Sequence, residues 1–209
     1  MSSYNIVKNG GDAVIEVKRS KFIAAVYPVN SEEEALRFLN TVQKKYYDAK
    51  HHCSAYIIAD EDESSQDTVH SSDDGEPSGT AGQPILSVIN GAGLKNVICV
   101  VTRYFGGVLL GTGGLVRAYT DAAKAAVENA VIAEVAFKQI FKISFDYPLT
   151  GKVDYILENA GCVKENTEYT DRVSYICSVK ADEAVNLFDK LTEATSAGVM
   201  IESLTKKYI

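Results

Sequence analysis

No two of the four cysteines stand in a Cys-x-x-Cys pair: Cys53, Cys99, Cys162 and Cys177 are scattered along the chain. That spacing argues against a zinc ribbon or a thioredoxin-type redox site. Each cysteine lies in an apolar or strand-like context, where a free thiol behaves as a small core hydrophobe. Long apolar runs are missing too, and none approaches the roughly eighteen residues needed to span a membrane. The opening MSSYNIVKNGGD has neither the basic nor the apolar region of a secretory signal, so the expected location is the cytoplasm. A basic balance is also lacking. The formal net charge is −7, and residues 1–134 hold 12 Lys and Arg against 17 Asp and Glu, residues 135–209 nine against 11. Neither half has the electrostatics of a dedicated nucleic-acid binder, so any contact with RNA must use a local basic patch.

Hydrophobic residues make up 46% of the 209 and charged residues 23%, enough to bury a core in one large or two small domains. Glycine is concentrated: ten of fifteen lie between Gly75 and Gly114. Gly75, Gly79 and Gly82 punctuate DDGEPSGTAGQP. Gly106, Gly107, Gly111, Gly113 and Gly114 follow the β-branched run Val97–Val101, which reads as a buried strand. From Leu115 to Val131 the apolar residues recur at helical spacing. Strand, glycine loop and helix in that order bring backbone N–H groups toward a bound anion.

Ahead of this stretch, Ala13–Lys18 and Phe22–Val29 read as strands joined through Arg19-Ser20-Lys21. Ser31 and Glu34 predict a capping box for a helix with Ala35, Phe38, Leu39, Val42 and Tyr46 on its apolar face. His52–Ala59 predicts a strand, residues 60–67 a solvated acidic loop, and Pro84–Gly93 a short helix. A second unit is expected from residue 135 to 209. Gln139–Asp146 alternates, and Pro148 opens a helix that Gly161 ends. Cys162–Tyr169 and Arg172–Lys180 read as a hairpin, Ala184–Ala194 as a helix, and Val199–Leu204 as a last strand. The order β-α-β-β-α-β is that of the ferredoxin-like motif. The expected organisation is therefore α+β with two domains, 1–134 and 135–209, joined directly.

Three candidate sites emerge. In RYFGGVLLGTGGLVR, Gly106 and Gly111-Thr112 imitate a Walker A spacing but lack its lysine, and Val116 stands where a dinucleotide loop needs a third glycine. There remain the N–H groups near Gly113-Gly114, the Thr112 hydroxyl, and Arg103 and Arg117 as clamps for an anion. The plainer explanation is a tight turn and close packing, although five glycines in nine residues exceed what one turn needs. The second site, DDGEPSGTAGQP, gathers Asp73, Asp74 and Glu76 beside Ser78 and Thr80. Those carboxylates suit a hard cation, but acidic turns are common and the solvated-loop reading is favoured. The third is His51-His52-Cys53. On a strand His51 and Cys53 share a face while His52 points away, and no further ligand completes a metal site.

Taken together, His51–Tyr56, Asp74–Pro84, Arg103–Gly107 and Gly111–Tyr119 resemble the YigZ/IMPACT family. The similarity extends over nearly the whole chain, with one departure at Leu109, where many members carry a basic residue. The resemblance implies a first domain folded like the second domain of a small-subunit ribosomal protein, an α/β sandwich with a left-handed crossover. It implies a ferredoxin-like second domain similar to the last domain of elongation factor G. Eukaryotic relatives regulate translation by interfering with activation of a general-control kinase.

The leading expectation is a non-enzymatic protein contacting the ribosome, RNA or a translation-regulatory protein, with no cofactor and no metal. Its contact surface comprises Arg103, Tyr104, Phe105, Gly106, Gly107, Gly111, Thr112, Gly113, Gly114 and Arg117, with His51, His52, Asp74, Glu76, Ser78 and Thr80 beside them. Basic and aromatic groups next to glycine-rich backbone suit RNA or a protein partner. A second expectation is an enzyme that holds a phosphorylated small molecule or nucleotide at the Gly111–Gly114 helix start, with an acidic residue as metal ligand or base. A third, a hydrolase using Cys53 and His52, rests on adjacency alone. The two glycine-rich loops are expected to meet in one groove, which requires Glu76 and Arg103 to lie close together.

Overall fold

The computed structural model describes residues 3–60 and 66–209, so most of the acidic loop expected at 60–67 lies outside the described residues. The chain divides into two compact units, Tyr4–Glu134 and Val135–Ile209, with Ser3 grouped with the latter.

The first unit contains β1 (Ser3–Asn9), β2 (Gly11–Val17), β3 (Ser20–Pro28), α1 (Glu32–Lys45), β4 (His51–Ile58), β5 (Thr68–Ser72), α2 (Gly82–Gly91), β6 (Val97–Tyr104) and α3 (Thr112–Glu128). Strands β2-β3-β6-β4-β5 form one sheet in that order, every pairing antiparallel. The central strand β6 explains why VICVV has no polar alternation: it is covered on both faces. Val97, Cys99 and Val101 pack with Phe22, Ala55 and the inner sides of α2 and α3. Ile98 and Val100 pack with Ala35 and Val42 of α1. Three layers result, with α2 and α3 on one face and α1 on the other.

Local signals account for most boundaries. Ser31 Oγ accepts the Glu34 N–H at 3.2 Å, as a capping residue should, while Glu34 reaches back to the Asn30 N–H at 2.7 Å, one residue before the cap. Helix α2 starts two residues earlier than Pro84 suggested. Its first N–H groups are satisfied from a distance: Asp73 Oδ1 accepts the Ala81 and Gly82 N–H groups at 2.9 and 2.8 Å. A carboxylate there also favours the positive end of the helix. Helix α3 begins at Thr112, ahead of Leu115, and ends at Glu128. Strand β1 was not visible in the sequence pattern and is tied to the unit through Asn5, which exchanges backbone hydrogen bonds of 2.9 Å with Gly93 and Lys95. The edge strand β5 carries mostly polar side chains on TVHSS and was likewise missed.

Strand β7 (Val131–Phe145) crosses the boundary between the units, starting eight residues before the alternation predicted it. It is followed by a single 3-10 turn at Tyr147–Leu149, then α4 (Thr150–Asn159), β8 (Val163–Tyr169), β9 (Val173–Lys180), α5 (Ala184–Ala194) and β10 (Val199–Tyr208). Pro148 thus sits in the 3-10 turn that leads into α4 rather than in the helix itself, and Gly161, at φ +63°, closes it. Strand β1 joins this sheet on β7 as a fifth strand, and pairing within the second unit runs β8-β9-β7-β10, all antiparallel. Numbered within the unit this is the 2-3-1-4 order of a ferredoxin-like sheet. Phe141, Ile143 and Phe145 pack with Val153 and Leu157 of α4 and Leu187 and Leu191 of α5. The class is mixed α+β. Among the described residues no helix is long and apolar enough to cross a membrane.

Candidate functional site

Strand β4 places His51 opposite Arg103 and Cys53 opposite Val101 on β6, which turns His51, Cys53 and Arg103 toward α2 and α3. The loop Asp73–Ala81 folds back over them. Arg103 Nη1 reaches Glu76 Oε1 at 2.6 Å, with the two side chains only 8% and 4% exposed. Tyr119, from α3, donates its hydroxyl to the same oxygen at 2.8 Å. Cys53 Sγ lies 3.3 Å from the Tyr119 oxygen and 3.0 Å from the Asp73 carbonyl oxygen, so its single proton serves one of two acceptors. One carboxylate therefore joins β6, α3 and the first glycine loop. The second glycine loop is drawn in through the next residues of the chain. Phe105 and Phe22 sit over the Arg103 guanidinium at 5.6 and 5.5 Å, at distances suited to cation–π attraction.

The first loop is far more ordered than a solvated acidic turn. Asp73 Oδ2 accepts the Gly79 N–H at 2.7 Å, in addition to the two bonds it gives α2. Partial burial pushes the Asp73 carboxyl up, but the donors at Gly79, Gly82 and Ala81 outweigh it and hold its pKa below the ordinary value. Asp74, at φ +42°, bonds on both sides of itself: its carbonyl meets His51 Nδ1 at 2.8 Å and its Oδ2 accepts the His52 N–H at 2.6 Å. The Thr80 hydroxyl donates to the Pro77 carbonyl at 2.7 Å and is buried, while Ser78 is exposed.

Several sequence expectations are corrected here. Arg103 is not a surface clamp for an anion, because its charge is spent inside on Glu76. Glu76 and Asp73 are not free to hold a cation, and the Thr80 hydroxyl is a loop fastener. His52 does not join Cys53. It faces the α1 side, where its Nδ1 meets Thr102 Oγ1 at 3.0 Å, and burial lowers its pKa. Burial pushes the Cys53 thiol up to about 12, so a thiolate nucleophile is unavailable. Tyr104 likewise faces the α1 side, donating to Asp48 Oδ1 at 2.6 Å. Among the described residues no group of three or more His, Cys, Asp or Glu could hold a metal ion.

Arg103 and Glu76 lie in contact, which meets the distance that the expected groove required, while the second glycine loop is held at Gly106 against Arg19 and Ser20. The residues that remain outside are different from those that meet within. Phe105 is 55% and Leu109 82% exposed, and Thr112, Gly113 and Arg117 are exposed along the start of α3. Gly107 and Gly111, at φ +83° and +73°, supply the turns. Tyr119 and Asp73 were underrated in the sequence: Tyr119 occupies an apolar position of a helical pattern, and only its hydroxyl sets it apart.

The fold and this internal clamp define a mixed α+β protein of two units, whose first unit holds its first glycine-rich loop on the sheet through the Arg103–Glu76 pair. Residues 18–127 match the family described as the Impact N-terminal domain, and residues 143–197 match a domain of unknown function (DUF1949). The IMPACT family member YvyE of Bacillus subtilis (strain 168) is 35% identical over 196 residues, 94% of this chain and 88% of that protein. An IMPACT family member of Haemophilus influenzae is 32% identical over 207 residues, 98% of each chain. A crystal structure of a hypothetical protein is similar with a TM-score of 0.61 at 30% identity, covering 98% of both chains. The chain belongs to the IMPACT family.

Proposed function

We propose that this chain is a non-enzymatic regulatory protein that binds the translation machinery, touching the ribosome with the end of the first unit's sheet where the glycine-rich loops emerge. The observation that carries this reading is the buried Arg103–Glu76 pair. The ionisable groups placed to serve catalysis are engaged within the fold: Arg103 on Glu76, Glu76 on Arg103 and Tyr119, Asp73 on three backbone donors. Their joint effect is to brace a loop that presents Phe105, Val108 and Leu109 to solvent. Exposed aromatic and aliphatic side chains on a braced loop suit binding to a large partner. Family membership supports the translational setting that the resemblance implies.

The test is co-sedimentation with ribosomal subunits at low salt, comparing the full chain with a Leu109→Ala/Arg117→Ala variant. Co-migration of the wild type, reduced in the variant, is the expected result. A wild-type protein that stays at the top of the gradient overturns the reading.

One observation keeps a second reading, an enzyme acting on a phosphorylated small molecule. The first turn of α3 has no side-chain cap and no acidic residue, and Gly111 is its N-cap. Such an end favours an anion. Thermal shifts with nucleotides and phosphate esters in Mg²⁺, followed by turnover assays, separate this reading from the first.

A further inference from the structure

The two-residue connection between β2 and β3 is built from the wrong residues for its shape. Val17 pairs with Ser20, leaving Lys18 and Arg19 as the turn, with φ of +48° and +66°. A hairpin turn with both central residues at positive φ ordinarily takes Asn-Gly, because a Cβ is disfavoured there. Here two long cations occupy it, and both are exposed. Strain of this kind persists only where the surrounding structure fixes it, and it clusters at functional sites.

The turn is also fixed against the second glycine loop. A Cβ at Gly106 would stand 2.1 Å from the Arg19 carbonyl carbon, so the two backbones touch. The Gly106 N–H also donates to Ser20 Oγ at 3.1 Å. Next to Gly106, Phe105 has one side over the buried Arg103 guanidinium and is 55% exposed. A flat aromatic ring is thus held in register with a cationic hairpin tip. The same end of the sheet carries Lys21 and Lys50, both exposed. Among the acidic groups there, Glu76 is taken by Arg103, Asp74 by the His52 N–H and Asp48 by Tyr104. Glu16 stands across from a cation, paired in register with Lys21.

We infer that Lys18, Arg19 and Phe105 form one contact element for single-stranded RNA, the tip cations holding phosphates and the Phe105 ring stacking on an unpaired base. This deepens the ribosome-binding reading above and rests on it. Phosphate contacts and stacking are complementary demands that a single strand meets together. An acidic peptide would use the cations and leave the ring without a flat partner. The element also resolves the acidic net charge: the basic patch is local and at the end of the sheet.

The experiment measures fluorescence anisotropy of a short labelled oligoadenylate with the full chain. The key variant is Lys18→Asn/Arg19→Gly, which restores the preferred turn while removing both charges. It is expected to melt no lower than wild type, yet bind RNA at least tenfold more weakly, with a log–log salt slope shallower by about 1.4, at roughly 0.7 per lost phosphate contact. Phe105→Ala is expected to weaken binding roughly tenfold with its salt slope unchanged, since stacking carries no counterions. Wild type that does not bind, or a turn variant that binds as tightly as wild type, overturns the inference. So does polyglutamate that binds more tightly than the oligonucleotide, a result that assigns the tip to an acidic protein. Ribosome co-sedimentation of the same variants distinguishes the two levels. If the turn variant still co-sediments, the RNA element fails and ribosome binding stands. If wild type fails to co-sediment, the broader reading fails whatever the oligonucleotide does.

Discussion

Arg103 and Glu76, 27 positions apart in sequence, form an ion pair of 2.6 Å in which both side chains are almost fully withdrawn from water. The guanidinium Nε has no hydrogen-bond partner among the described residues, so the pair is not fully compensated. Such pairs are strongly destabilising to break and often inexpensive to replace.

It follows that Arg103→Met, which strands the Glu76 carboxylate, should destabilise by about 3–5 kcal/mol in urea unfolding. The double variant Arg103→Met/Glu76→Leu should recover a large part of that loss. A double variant as unstable as the sum of the singles would mean that the two residues do not act as a pair.

The glycines of the second loop should separate into two classes. Gly106→Ala forces a methyl against the Arg19 carbonyl carbon and should cost about 3 kcal/mol, the upper end of overpacking effects. Gly113→Ala, in the first turn of α3 and without a positive φ, meets nothing within 4 Å and should be neutral or stabilising by up to about 1 kcal/mol. Thermal melts of both variants against wild type provide the check, and equal losses would contradict the backbone contact.

Two groups predict successive losses of stability as pH falls. His52 has a folded pKa lowered by burial, so the unfolded chain binds its proton first. Stability is complete above the unfolded value of about 6.5 and falls as pH drops below it. That dependence should flatten in His52→Asn. Asp73 has a lowered folded pKa, so its contribution is present above the ordinary carboxylate value and is lost as pH falls through the folded one. Asp73→Asn should remove this acid-side loss along with the caps on α2. Urea midpoints across the acid to neutral range test both.

Cys53, with its thiol near 12, should resist iodoacetamide at pH 8 in the folded protein and react only on unfolding. Mass-spectrometric mapping of alkylated cysteines decides the matter. Rapid modification of Cys53 in the native state would show that the site is open to solvent and ionised.

Much of the fold was legible because it rests on local rules. The Ser31 cap, the unbroken apolar run of β6, the alternation of Phe141, Ile143 and Phe145, and the terminating Gly161 each act within a few residues. Strands β1 and β5 were not legible, since one depends on pairing with the distant β7 and on bonds from Asn5 to Gly93 and Lys95, and the other has little apolar character to reveal it. The site was half legible. Glycine clusters and charged residues marked the right stretches, and the opposed faces of His51 and His52 followed from strand geometry. The roles were misread, because a sequence does not distinguish an arginine spent on a buried carboxylate from one offered to a ligand.

Composition and periodicity by themselves determined that this chain builds helices, antiparallel strands and a ferredoxin-like second unit, because backbone propensity and side-chain period are local properties. Only the tertiary structure decided that Asp73 caps α2, that Glu76 turns inward and that the Lys18-Arg19 turn lies against Gly106. Those outcomes depend on which distant groups share a desolvated space, and desolvation is set by the whole fold.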